Sequence, residues 1–319
     1  MLRNVHRWLP AYIKNRMSNS FQQGTSRPKH IFLAICDHFE PLWNKVNFHT
    51  GLRRVKEWHD RYPEIADKYT DADGKKPKYT FFYPIEEYRP EYMSLLADLC
   101  HRGYGEVEVH LHHDNDTAAN LRGTLLSYKQ ILSDNYNLLS KDKKTGEIRY
   151  GFIHGNWALN NSRPDGRMCG VDNEIEILSE TGCYADFTMP SAPDITQFSI
   201  VNRIYRDKGL LMIQGPLMLN WRNRKWGIAP RIENGSINYD NHITPDRINL
   251  WVKANIHAKE KPNCIFIKLH THGCQEKNSE YLLNEGLDEL FSSFLNKYND
   301  GINYITHFVT AREMADAIC

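Results

Sequence analysis

The chain lacks the features that mark several classes of protein. It has no apolar run of membrane-spanning length and no Cys-x-x-Cys pair among its 7 cysteines. An odd number of cysteines without a repeated short spacing predicts reduced thiols in a cytoplasmic protein rather than disulfides or a zinc ribbon. The net charge of +1 gives no general attraction to nucleic acid. A chain of 319 residues with 41% hydrophobic and 25% charged residues is expected to form an ordinary globular core.

The first segment of the chain, residues 1–29, is predicted to be an amphipathic extension of a domain that spans residues 30–319. It lacks the apolar core of a signal peptide. Its apolar residues lie near one helical face, with basic residues mixed among them, and Pro10 weakens any long helix. Such a segment could dock on its own domain or make peripheral contact with the inner face of a membrane.

The rest of the chain alternates strand-like and helix-like patterns. The predicted strands cover 30–37, 78–83, 106–112, 149–153, 210–214, 264–269 and 302–308, and helices are predicted between them. Residues 219–243, rich in Trp, Arg, Asn and Gly, interrupt this rhythm and predict a loop or hairpin insertion. Repeated β-then-α units imply parallel strands, so we expect one α/β domain: a single (β/α) barrel of seven or eight units.

The densest group of chemically active side chains follows the predicted strand 106–112. His110, His112, His113 and Asp114 crowd the end of that strand within five residues. Three imidazoles and a carboxylate so close together are costly to pack without a partner, and a divalent cation is the partner that suits them best. The cluster therefore predicts a metal site.

Two other predicted strands end in the same kind of residue. Asp37 and His38 follow an apolar run, and so do His270 and His272. In parallel α/β proteins the C-terminal ends of the strands form the active face, so we expect these residues to meet the 110–114 cluster there.

This order of motifs resembles that of the polysaccharide deacetylases, and the resemblance extends from about residue 30 to 310. It implies a deformed (β/α) barrel with one divalent metal ion, and the histidine-rich ligand set favours zinc or a neighbouring transition metal. It also implies that Asp37 is the catalytic base and His38 a metal ligand; a one-residue slip would make Asp37 the ligand. His110 matches the first metal histidine of the second motif. Asp114 stands where the family has the second, with His112 or His113 as alternatives.

The resemblance assigns roles to the later motifs as well. Leu269-His270 matches the motif whose histidine serves as general acid, with His272 as the alternative. The third family motif is absent, and the loop containing His154, Asn156 and Trp157 is expected to take its place in binding substrate, with Trp157 as a sugar platform.

The function implied is a metal-dependent hydrolase that removes acetyl groups from an N-acetylated sugar, in a polysaccharide or a lipid-linked glycan precursor. Metal-activated water would attack the amide, an Asp would accept the proton, and a His would protonate the amine. Two alternatives stay open. One is a metal phosphoesterase on a (β/α) barrel, which would need further ligands for a second metal. The other is a non-catalytic glycan-binding protein on the same fold.

Overall fold

The chain alternates strands and helices, as its hydrophobic pattern predicts. The computed structural model describes residues 4–21 and 28–319. The strands are β1 (Lys29–His38), β2 (Tyr79–Pro84), β3 (Gly105–Leu111), β4 (Ser140–Lys141), β5 (Ile148–His154), β6 (Cys183–Asp186), β7 (Ile204–Asp207), β8 (Leu210–Ile213), β9 (Met218–Lys225), β10 (Ala229–Glu233), β11 (Cys264–Thr271) and β12 (Tyr304–Phe308). The helices are α1 (Val5–Phe21), α2 (Phe48–Ala66), α3 (Pro90–His101), α4 (Ala118–Tyr136), α5 (Glu174–Glu180), α6 (Pro245–Ala254), α7 (Glu276–Tyr281), α8 (Leu287–Tyr298) and α9 (Ala311–Ile318).

The central strand is β1, which pairs in parallel with three neighbours. It runs beside β11 from His30↔Cys264 to Asp37↔Thr271, beside β2 near its C-terminal end, and beside β12 near its N-terminal end. The main sheet has the order β11-β1-β2-β3-β5-β6-β8-β7, and only β7 and the short β4 pair antiparallel to their neighbours. The C-terminal ends of β1, β3 and β11 therefore meet at one edge of the sheet.

The predicted α/β class and parallel sheet are confirmed, but the sheet does not close into a barrel within the described residues. Its two sides approach each other, since Lys268 on β11 donates hydrogen bonds to the carbonyls of Phe187 and Met189, which follow β6. The strand ladder nevertheless ends at β11 on one side and β7 on the other. Between β8 and β11 the chain forms the separate hairpin β9–β10, and the isolated bridge Ser236↔His270 pairs the segment after this hairpin with β11. The hairpin predicted around 219–243 thus occupies the gap where a closing strand would lie.

Two hydrophobic cores cover the two faces of the sheet. The larger lies under the helices and contains Trp58, Tyr79 and Phe152. The smaller lies on the other face, around Ala34 and Phe82, and the apolar side of α9 closes it. A capping box starts α9, with the Thr310 and Glu313 side chains bonded reciprocally to the backbone.

The N-terminal helix α1 docks on the domain. Trp8 is buried against Ala192, Val201 and Leu217, and α1 continues through Pro10. The predicted contact of this segment with a membrane stays a prediction. Among the described residues, each helix is too short or too polar to cross a membrane.

The buried Lys268, which links β11 to the segment after β6, makes the free energy of unfolding depend on pH. Burial lowers the pKa of Lys268 from its usual 10.5 to about 8. Between these two values the unfolded chain binds more protons than the folded chain, so the stability contributed at this site rises as the pH rises from about 8.

We predict that the free energy of unfolding of the wild type, measured by urea denaturation between pH 7 and 10, increases relative to that of Lys268→Met. Subtracting the variant cancels the titration of the other groups, and the expected change is on the order of 1–3 kcal/mol. A difference that stays constant over this range would contradict the assignment.

Candidate metal centre

Three histidines meet at the C-terminal edge of the sheet. His38 is the last residue of β1, His110 lies near the end of β3, and His272 follows β11. The ring centroid of His38 lies 4.9 Å from that of His110 and 4.8 Å from that of His272. The parallel register of the sheet therefore gathers imidazoles from chain segments more than 70 residues apart.

A carboxylate that the sequence reasoning missed completes this group. Glu40, two residues beyond His38, places its Oε1 3.3 Å from Nε2 of His110 and 3.5 Å from Nε2 of His112. Burial alone would raise the pKa of Glu40, but the hydrogen bond with His110 and the neighbouring imidazoles lower it below its usual value. The spacing His38-x-Glu40 at the end of a strand was the available signal, because side chains two residues apart in extended chain point to the same side.

The hydrogen bonds of His110 and His38 show where a cation would fit. Nδ1 of His110 lies 2.8 Å from the carbonyl oxygen of Ile153, which can only accept, so Nδ1 carries the proton. A proton or a cation must then lie between Nε2 of His110 and the Glu40 carboxylate. Nε2 of His38 is buried and has no hydrogen-bond partner at all. Burial lowers the pKa of His38 well below its usual value, so its ring is neutral.

These donors suit a transition metal ion. One ligand atom each from His38, Glu40 and His110 lies within 4.8 Å of the others. Two imidazoles and one carboxylate form a common ligand set for zinc and its neighbours, and three protein ligands leave a coordination position for water or substrate. His38, Glu40 and His110 fit a metal ion, because the unpaired Nε2 of His38 would otherwise be a costly buried acceptor.

A cavity of about 250 Å³ opens onto these donors. It is lined by His38, Glu40, Trp43, His112, Asn156, Trp157, His272 and Gln275. Both tryptophan loops contain consecutive residues with left-handed backbone: φ is 63° and 55° at Asn44 and Lys45, and 53° and 54° at Asn156 and Trp157. Residues other than glycine adopt this conformation at a cost, and such strain is often found at functional sites.

His112 lines the cavity, and Glu86 fixes the orientation of its ring. Its Nδ1 lies 2.6 Å from Oε1 of Glu86, and its backbone N–H donates to the same oxygen. Burial alone would lower the pKa of His112, but the hydrogen bond to Glu86 and the charges of Glu40 and Glu86 raise it overall. Its Nε2 faces the cavity beside Glu40.

Asp37 points away from the cavity. Its Oδ1 accepts a hydrogen bond of 2.7 Å from the N–H of Gly273, and its Oδ2 accepts one of 3.0 Å from the hydroxyl of Tyr79. A side chain at Gly273 would collide with Asp37, so glycine is required there. Burial raises the pKa of Asp37 to about 7, against the effect of these two hydrogen bonds. Asp37 thus ties the segment after β11 to β1 and β2.

The other predicted residues divide between the cavity and its surroundings. Asn156 and Trp157 line the cavity. His270 is buried 6.3 Å from His38, ring to ring, and its Nδ1 has no hydrogen-bond partner. Asp114 is exposed and accepts a hydrogen bond of 2.7 Å from the N–H of Met168, so it does not join the metal group.

His113 and His154 belong to a different cluster. They gather with Cys169 and Glu174, neither of which the sequence reasoning identified. Of the histidines that follow strand β3 along the chain, His112 therefore faces the cavity and His113 faces this second group.

Comparisons with known proteins carry little information about this chain. No family model matches the sequence, and no curated protein matches it. Among solved structures, the chain is similar to an alpha-mannosidase from Enterococcus faecalis V583, with 11% sequence identity and a TM-score of 0.43. The alignment covers 91% of this chain and 29% of that chain. No family is shown. At this level of similarity the comparison carries no argument about activity.

The metal centre predicts a specific loss of metal on substitution. We expect His38→Ala and His110→Ala to lower the zinc content of the purified protein by about one ion per chain, because two donors cannot hold the ion tightly. His101→Ala, at an exposed position on α3, serves as the matched control and should leave the zinc content unchanged. Elemental analysis of the folded variants measures this, and full zinc content in both site variants would contradict the assignment.

Proposed function

We propose that the protein is a metal-dependent hydrolase that removes the acetyl group from an N-acetylated sugar. The observation that carries the proposal is the buried, unpartnered Nε2 of His38, which lies beside Glu40 and His110 at a cavity bounded by Trp43 and Trp157. The donors suit a metal ion, and tryptophan faces suit a sugar ring. The cavity volume lies below the roughly 300–1,000 Å³ of pockets for drug-sized ligands, so we expect one sugar unit to enter.

The chemistry requires an electrophile, a nucleophile and a group that moves a proton. A divalent metal ion supplies Lewis acidity, which polarises an acyl oxygen and lowers the pKa of water. His112 moves the proton: held at Nδ1 by Glu86, it accepts a proton at Nε2 as the water oxygen bonds to the acyl carbon. The same nitrogen then protonates the sugar amine as the C–N bond breaks, leaving acetate and a free amine.

Asp37 and His270 act through other residues in this proposal. The resemblance assigns them the base and acid roles, but the carboxylate of Asp37 is occupied by Gly273 and Tyr79. Asp37 is a positioning residue that sets the separation of His38 and His272. His270, buried behind His38, forms part of the wall against which the metal ligands pack.

The number of carboxylates at the cavity favours acyl hydrolysis over cleavage of a glycosidic bond. Most glycosidases use two carboxyl groups on opposite sides of the scissile bond. Among the described residues, Glu40 is the one acidic side chain that lines the cavity, and it is also a metal donor. One carboxylate is sufficient for the metal-assisted reaction.

The phosphoesterase alternative makes a different demand on the cavity. It needs a second metal close to the first, with ligands that face the same space. The cluster of His113, His154, Cys169 and Glu174 does not line this cavity. A binuclear centre is therefore less well supported than a single ion.

Turnover tests the proposal directly. We expect the zinc-loaded protein to release acetate from oligomers of N-acetylglucosamine, and His112→Gln to lower kcat by roughly 10²–10⁴-fold with its zinc retained. His49→Gln, at an exposed site, is the matched control. Release of phosphate from phosphoesters without release of acetate would support the phosphoesterase alternative. Binding of the oligomers without any turnover would support a glycan-binding protein.

Stacking on Trp157 predicts an effect on substrate binding alone. Trp157→Ala removes one aromatic face of the cavity, so KM should rise roughly 2- to 10-fold with little change in kcat. Trp226→Ala is the control, because Trp226 is exposed on the β9–β10 hairpin. Steady-state kinetics on the same oligomers measures both values, and an unchanged KM for Trp157→Ala would remove this residue from the binding site.

A further inference from the structure

A second group of metal-type side chains lies beneath the loop that carries Trp157. It consists of His113 after β3, His154 at the end of β5, Cys169 in the connection to α5, and Glu174 in the first turn of α5. His154, Cys169 and Glu174 are fully buried, and the side chain of His113 is 7% exposed. One ligand atom from each residue lies within 4.8 Å of the other three.

The distances within this group are close to those of a four-coordinate zinc site. Oε1 of Glu174 lies 3.1 Å from Nε2 of His113 and 3.4 Å from Nε2 of His154, and Oε2 lies 3.5 Å from Sγ of Cys169. Zinc bonds of about 2.0–2.3 Å arranged as a tetrahedron separate the ligands by roughly 3.3–3.8 Å. The side chains would need to shift only slightly to hold an ion.

An unpaired nitrogen indicates that a cation belongs there. Nδ1 of His154 lies 2.5 Å from the carbonyl oxygen of Gly155, which can only accept a hydrogen bond, so Nδ1 carries the proton. Nε2 of His154 is fully buried, faces the Glu174 carboxylate and has no hydrogen-bond partner. Two buried acceptors that face each other repel unless a cation lies between them.

The surrounding hydrogen bonds orient the ligands as in known metal sites. Asp116 accepts from Nδ1 of His113 at 2.9 Å, which turns Nε2 of that ring toward the group. The N–H of Val171 donates to Sγ of Cys169 at 3.4 Å, a contact that stabilises a thiolate. Carboxylate partners of ligating histidines and N–H donors to ligating sulfur are recurring parts of such sites.

We infer that His113, His154, Cys169 and Glu174 bind a structural zinc ion, separate from the centre at His38. Four protein ligands that are all buried or nearly so describe a closed site, which is the pattern of structural rather than catalytic zinc. The ion joins the turn after β3 to residues 155–173, an irregular connection that includes Asn156 and Trp157. It therefore holds one wall of the substrate cavity in place.

Cobalt substitution tests this inference without requiring activity. When the full chain is loaded with Co²⁺, we expect a near-ultraviolet charge-transfer band from one thiolate–cobalt bond. Cys169→Ala should lose the band, Cys100→Ala should keep it, and His38→Ala should keep it while binding about one cobalt ion fewer. The His38 group contains no sulfur, so the band separates this site from the proposed catalytic one. Bound cobalt without the band in the wild-type protein would overturn the inference.

A second measurement addresses the role of the ion even if Cys169→Ala folds poorly. In the zinc-loaded wild type, we expect amide hydrogen exchange in residues 155–173 to be at least about tenfold slower than in chelator-treated protein. Glu174→Gln should abolish this difference. Equal exchange in this segment with and without zinc would show that no ion stabilises it.

Discussion

An unpaired imidazole nitrogen buried at the end of the central strand is the constraint on which the candidate site depends. His38 is carried there by β1, whose pairing with β11 and β2 also sets the core on both faces of the sheet. A buried acceptor without a partner costs about 1–3 kcal/mol, and the neighbouring Glu40 adds negative charge to the same space. A divalent cation would offset both costs, which is why these side chains suit a metal ion.

Two groups of side chains that could hold a metal ion lie at the C-terminal ends of the parallel strands. The two groups diverge at the end of β3, because His110 faces Glu40 whereas His113 faces Glu174 in the buried cluster. The first group has three donors beside an open space, which suits reaction. The second has four donors enclosed by the chain, which suits support of the loop that shapes that space.

The local pattern of hydrophobic residues was sufficient to predict much of the fold. Period-two and helical spacing predicted most elements within a few residues, and the clustering of histidines at strand ends predicted where His38 and His110 would lie. Pattern could not show that Asp37 turns toward Gly273 and Tyr79, because that depends on which face of β1 is packed under α2. Glu40 was missed because it lies beyond the strand. Cys169 and Glu174 were missed because a long irregular connection brings them back to His154, and sequence spacing carries no signal for such a contact.

The most direct measurement of the central claim is anomalous diffraction at the zinc absorption edge from crystals grown with zinc. The account predicts an anomalous peak at the cavity, about 2.0–2.1 Å from one ring nitrogen each of His38 and His110 and about 2.0–2.2 Å from a carboxylate oxygen of Glu40. A cavity with no peak, while Nε2 of His38 forms a hydrogen bond to a protein group or a water molecule, would contradict it.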